Sequence, residues 1–111
     1  MLLICYGTRP EYIKLKPLFK KIKGSIDYRV LFTGQHEDIG DFDHDLSIKI
    51  KENPDRLDSI FASILESSCN IFQNVSSVMV MGDTASAIAV AIAAFNKKIK
   101  IIHLEFHKSS Y

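Results

Sequence analysis

The stretch Met79-Val80-Met81-Gly82-Asp83-Thr84 constrains the fold of this 111-residue chain more than any other. An apolar run breaks at a glycine, passes through Asp-Thr, and gives way at once to the alanine-rich run 85–95. That order predicts a strand over 76–81, a tight turn, and a helix over 84–95. The helix is apolar on every side, which predicts that it is deeply packed. A second junction of the same design opens the chain, where Leu2-Leu3-Ile4-Cys5-Tyr6 runs into Gly7-Thr8-Arg9-Pro10-Glu11. Continuous apolar strands of this kind belong to parallel sheets covered on both faces. Ligands of such sheets bind beyond the carboxyl ends of the strands. A third strand over 99–104 ends on Glu105, so Arg9, Asp83 and Glu105 are expected at one crevice.

The intervening segments fit the same scheme. Thr8 and Glu11 have the spacing of a capping box, and Pro10 suits a first helical turn. A helix is expected over 10–23, with Leu15, Leu18, Phe19 and Ile22 inward and Gly24 at its end. A strand follows over 28–33, then a polar segment through Asp41, Asp43, His44 and Asp45, and a short strand over 46–50. Asn53-Pro54 predicts a helix start, and the helix over 55–73 turns Leu57, Ile60, Phe61, Ile64, Leu65, Ile71 and Phe72 inward. Strands alternating with helices specify βαβ units with right-handed crossovers, hence an α/β fold with a parallel sheet and flanking helices. The length suits one domain.

Composition narrows the function. A net charge of +1 gives no field for nucleic acid or membrane. Lys14, Lys16, Lys20, Lys21 and Lys23 read mainly as the solvated face of a helix. Two cysteines, Cys5 and Cys69, suggest a reducing compartment rather than a disulfide framework. With no signal-peptide pattern and no apolar run long enough to span a bilayer, a cytoplasmic protein is expected.

Several side chains are candidates for chemistry. Arg9 lies in a strand-to-helix turn, where a guanidinium and a helix N-terminus together grip a phosphate. Lys14 is one turn further on and reaches toward the same anion, or is simply a surface charge. Asp83 caps the helix over 84–95, acts in the site, or does both. Glu105, at the end of an apolar strand, needs a partner or ligand and is a candidate acid or base. His36, in Gly34-Gln35-His36-Glu37, is at the crevice edge. His103 reads as a core histidine. His103, Glu105 and His107 share a strand face, but no fourth ligand is evident and no metal is expected. The aspartate cluster at 41–45 lacks the spacing of a calcium loop.

Gly7-Thr8-Arg9-Pro10-Glu11-Tyr12-Ile13-Lys14, Thr33-Gly34-Gln35-His36, Gly82-Asp83-Thr84 and His103-Leu104-Glu105 resemble, in order and spacing, the amino-terminal domain of non-hydrolysing UDP-N-acetylglucosamine 2-epimerases. The resemblance implies the Rossmann-like half of a glycosyltransferase-B-like two-domain fold, occupying 1–105, with an atypical tail at 106–111 and the carboxyl-terminal domain absent. It implies conversion of UDP-GlcNAc to UDP-ManNAc at sugar C2, by anti elimination of UDP and re-addition, as a step toward cell-envelope polysaccharide. It places Arg9 and Lys14 near the diphosphate, makes Asp83 and Glu105 the acidic catalytic positions, and groups His36 with the substrate-binding residues. No cofactor is implied, and the opening turn lacks the G-x-G-x-x-G fingerprint. The implied partners are the UDP-sugar and, in the full-length protein, a second copy in a homodimer. The 111-residue chain alone is expected to be inactive. Tyr12 resembles the hydrolysing branch, which releases UDP and free ManNAc. That branch and a non-catalytic sugar-nucleotide-binding or dimerisation module are the alternatives.

Overall fold

The computed structural model describes residues 1–33, 45–48, 56–82 and 84–105. Its elements, in order, are β1 (Leu2–Tyr6), α1 (Arg9–Ile22), β2 (Tyr28–Phe32), β3 (Leu46–Ser47), α2 (Arg56–Ile71), β4 (Ser77–Met81), α3 (Ala85–Asn96) and β5 (Lys100–Leu104). The five strands form one parallel sheet in the order β3-β2-β1-β4-β5. The chain moves outward from β1 to β2 and later outward in the other direction from β4 to β5. The strand order therefore reverses between β1 and β4, and this is the point at which open α/β sheets bind ligands.

Alternation along the strands sends residues to two cores. Leu3, Cys5, Leu31, Val78 and Val80 face α2 and α3, where they meet Ile60, Ile64, Ala89, Val90 and Ala94. Ile4, Tyr6, Val30 and Met81 face α1 and meet Tyr12, Leu15 and Ile22. Leu3, Ile4, Leu31 and Ile64 are wholly buried, and each contributes about 1.5–3 kcal/mol through burial. Aromatic rings extend the second core, with Tyr6 against Tyr12 at 5.1 Å and Phe32 at 5.4 Å. Tyr12 also meets Phe19, which stacks on Tyr28. Tyr12 is thus a core residue in this chain.

Three expectations are corrected. First, α3 is not deeply packed on every side. Ala89, Val90, Ala93 and Ala94 are buried, but Ile88, Ile92 and Phe95 are exposed, Phe95 by 75%. They form an apolar stripe because β5 is an edge strand and nothing among the described residues covers its far side. Second, Leu57 and Leu65 of α2 are exposed rather than inward. They lie off the stripe of Ile60, Ile64 and Ile71 that meets the sheet. Third, α3 takes its N-cap from Thr84, whose hydroxyl accepts from the Ala87 N–H at 3.3 Å. The cap is therefore not Asp83. The helix-start signal at Asn53-Pro54 and Asp41, Asp43 and His44 lie outside the described residues. No helix among the described residues is long and apolar enough to cross a membrane.

Candidate functional site at the carboxyl rim of the sheet

A parallel sheet puts the carboxyl ends of all its strands on one rim. Three of those ends carry the candidate residues. The first is built by the β1–α1 turn. Glu11 accepts hydrogen bonds from the Gly7 N–H at 2.8 Å and the Thr8 N–H at 3.0 Å, while the Thr8 hydroxyl accepts from the Glu11 N–H at 3.4 Å. This is the reciprocal capping box expected from the spacing. Glu11 is buried, which is unusual for a carboxylate, and the two amides satisfy it. The turn it fixes presents Arg9 as the first, exposed residue of α1. Lys14, also exposed, is just over one turn further along the same helix.

Cys5 lies directly beneath this turn. Burial, and then the Glu11 charge, push its thiol far above the ordinary range. It is therefore an inert core thiol, whereas Cys69 is exposed on α2.

Replacing Glu11 by Ala strands the Gly7 and Thr8 amides and removes the box. The expected loss is about 2–4 kcal/mol in urea unfolding. Glu11→Gln keeps an acceptor and should cost roughly half as much. A loss under about 0.5 kcal/mol for Glu11→Ala, the level of an ordinary surface change, contradicts this role.

The second strand end is the β4–α3 turn. Gly82 has φ +68, a left-handed backbone that favours glycine, and its N–H donates to the Leu104 carbonyl at 2.9 Å. This bond ties the turn to the third strand end. Asp83 itself lies outside the described residues, between Gly82 and the cap residue Thr84. The third end is Glu105, directly after β5. Its side chain is 59% exposed, so the strand end is not the buried position expected from the apolar run. The physical reason is again that β5 is an edge strand.

His103 departs furthest from its expectation. It is not a core histidine, because its side chain is 42% exposed. Nε2 is hydrogen-bonded to the Gly82 carbonyl, and Nδ1 is 3.6 Å from the Glu105 carboxylate. Its period-two spacing from Glu105 was legible in the sequence, but its bond to the β4 turn was not. His36 and His107 lie outside the described residues. Among the described residues no three His, Cys, Asp or Glu side chains gather as a metal site would require.

Arg9 and Glu105 thus follow strands whose carboxyl ends lie on one side of the sheet, with the end of β4 at Gly82 between them, and Lys14 lies further along α1. Among the described residues a small cavity, about 10 Å³, lies by these strand ends, lined by residues that include Gly7, Glu11, Met81 and Ser86. That is room for about one water. A nucleotide-sized ligand needs ~300–1,000 Å³, more than this cavity offers. Chemically these strand ends and α1 offer a guanidinium and an ammonium suited to phosphate, and a carboxylate able to accept a proton.

Comparison with known proteins gives the family and the fold. The sequence model of the family described as UDP-N-acetylglucosamine 2-epimerase matches residues 20–106. The UDP-N-acetylglucosamine 2-epimerase of Campylobacter jejuni is 39% identical over 99% of this chain and 32% of its own length. A Salmonella borreze enzyme of that name is 34% identical over 93% of this chain and 30% of its own length. Among solved structures, UDP-GlcNAc 2-epimerase from Neisseria meningitidis bound to UDP-GlcNAc superposes with a TM-score of 0.81 at 29% identity, covering 93% of this chain and 31% of that one. This chain thus spans about 30% of the length of the curated relatives it matches.

Proposed function

Because the chain belongs to the UDP-N-acetylglucosamine 2-epimerase family, we propose that residues 1–105 form the amino-terminal Rossmann-like wall of a two-domain cytoplasmic enzyme. That enzyme interconverts UDP-GlcNAc and UDP-ManNAc at sugar C2. Residues 106–111 are then a tail beyond this domain. The observation that carries the reading is the convergence of the β1, β4 and β5 ends on a rim too shallow to enclose a nucleotide. A second domain facing the rim closes the site.

In this reading the reaction is an elimination followed by a re-addition. Cleavage of the C1–O bond leaves negative charge on the UDP diphosphate. Arg9, Lys14 and the N-terminus of α1 stabilise that charge where it develops. Glu105, with Asp83, serves proton transfer at C2 or orients the sugar. Removal of a weakly acidic C–H proton needs a carboxylate held close and shielded from water. His36 is assigned to substrate binding with these residues. No net oxidation occurs, and the chemistry calls for no nicotinamide.

The exposed stripe of Ile88, Ile92 and Phe95 supports the homodimer proposed for the full-length protein, since such a surface is ordinarily covered.

The test joins this chain to the carboxyl-terminal two thirds of the Campylobacter jejuni relative and follows UDP-GlcNAc by proton NMR. UDP-ManNAc at equilibrium with substrate is expected from the joined protein, and no turnover from the 111-residue chain alone. Stoichiometric free UDP with ManNAc would favour the hydrolysing reaction. A joined protein that folds but neither turns over nor binds UDP-GlcNAc would favour a non-catalytic module.

A further inference from the structure

The outer faces of α1 and α3 are built differently. Exposed positions of α1 include Lys14, Lys16, Lys20 and Lys21, whereas no residue from Ala85 to Asn96 is ionisable. The large exposed side chains of α3 are Ile88, Ile92 and Phe95, whose spacing aligns them on one stripe. An open apolar groove of about 340 Å³ lies along this stripe. It runs from Gly82 and His103, near the carboxyl ends of β4 and β5, past Ala87 and Ala91 to Phe95 and Ile101. An apolar cavity of about 150 Å³ takes up benzene, so the groove has room for a phenyl ring. Phe95, the most exposed of the three, is thus a knob at one end of the helix, and the groove beside Ala87 and Ile88 is a hole at the other. Charge follows the same polarity. Lys97, Lys98 and Lys100, all exposed, lie by the end of α3. Exposed Glu105 lies by its start, where the Gly82 N–H donates to the Leu104 carbonyl.

We propose that this face pairs with the same face of a second copy, the two α3 helices running antiparallel across a two-fold axis. Ile88 and Phe95 are equally far from the midpoint between Ala91 and Ile92. An axis at that midpoint seats each Phe95 in the groove of the other copy, against its Ile88. It also turns the basic end of one α3 toward Glu105 of the other copy, so opposite charges meet at each end. A parallel pairing would set Phe95 on Phe95, leave the groove unfilled and oppose like charges. The absence of charge along α3 suits a surface that meets its own copy and gives a differently charged partner nothing to select. The proposal rests on the homodimer reading of the full-length protein and adds that the rim of each copy borders the other.

Sedimentation equilibrium of the 111-residue chain, without nucleotide and up to millimolar concentration, should show a monomer–dimer equilibrium. Phe95→Asp should weaken dimerisation by about thirtyfold or more, the effect of losing a buried anchor. Ile26→Asp, at an exposed isoleucine beyond α1, should leave it unchanged. In a mixture of isotope-labelled and unlabelled chains, filtered NOE spectra should join the Phe95 ring to the Ile88 methyl groups of the other copy. Within one chain these residues are about 10 Å apart along the helix, beyond the reach of an NOE. A chain that stays monomeric overturns the proposal. A dimer lacking the Phe95–Ile88 contact, or one that a folded Phe95→Asp leaves intact, overturns it too. If Phe95→Asp does not fold, the filtered spectra of the unaltered chain decide alone. A monomeric 111-residue chain that becomes dimeric once joined to the rest of the Campylobacter jejuni relative keeps the homodimer reading and moves its contact elsewhere. None of these results bears on UDP-GlcNAc binding, so the reading of the rim stands or falls separately.

Discussion

Glu105→Gln, made in this chain joined to the remaining two thirds of the Campylobacter jejuni relative, is expected to slow C2 epimerisation by roughly a hundredfold or more, the usual yield of a positioned acid or base. The substitution is nearly isosteric and falls on an exposed strand end. Stability should therefore change by no more than about 0.5 kcal/mol. Loss of rate with unchanged affinity for UDP is the signature of a group acting on the proton at C2. If Glu105 instead only orients the sugar, the effect falls mainly on KM and the neutral amide retains much of the rate. Coupled assay of kcat and KM separates the two. A loss below about tenfold removes Glu105 from proton transfer, because general acid–base catalysis by a single group is worth more than that.

Arg9→Ala should weaken UDP binding by about 10- to 100-fold. Hydrogen bonds to a charged partner contribute about 1.5–3 kcal/mol, and every 1.4 kcal/mol is a factor of ten. Arg9→Lys should recover part of the loss, because it keeps the charge but not the planar fork that matches a phosphate. Arg9 is exposed on the first turn of α1 and the capping box beneath it does not use its side chain. The melting temperature should therefore hold while the affinity falls. Calorimetric titration with UDP checks this, and raised salt should weaken binding to the unaltered chain in parallel. Equal affinity in Arg9→Ala would move the diphosphate elsewhere.

The parts of this architecture that were legible in the sequence are those fixed by local chemistry. Strand runs that are apolar throughout, followed by Gly-Thr or Gly-Asp-Thr and a helical pattern, specified the parallel sheet. The Thr8–Glu11 spacing specified a capping box, and both of its hydrogen bonds form. The parts that escaped depend on neighbours distant in the chain. Nothing in the run Ala85-Ser86-Ala87-Ile88-Ala89-Val90 distinguishes a side facing α2 from one facing solvent, since both are apolar. Among the described residues β5 is the last strand of the sheet, and none of them covers Ile88, Ile92 and Phe95. The same edge exposes His103 and Glu105, which an apolar strand taken alone suggested were buried. The cap of α3 falls on Thr84 rather than Asp83, because it is the Thr84 hydroxyl that meets the Ala87 amide, a choice of one position that adjacent Asp and Thr leave open in the sequence. Among the acidic and basic candidates, Arg9 and Glu105 follow strands whose carboxyl ends share one side of the sheet, while Lys14 lies within α1.

The most direct measurement is a titration of UDP-GlcNAc into the nitrogen-15-labelled 111-residue chain, with amide shifts mapped on the sheet. The expected pattern is a single contiguous set comprising residues 7–14, 82–84 and 105, attenuated together in Arg9→Ala. Saturable shifts confined to the apolar groove of α3 and β5 or to the lysine face of α1, with residues 7–14 and 105 unmoved, would show that these strand ends do not form one sugar-nucleotide site.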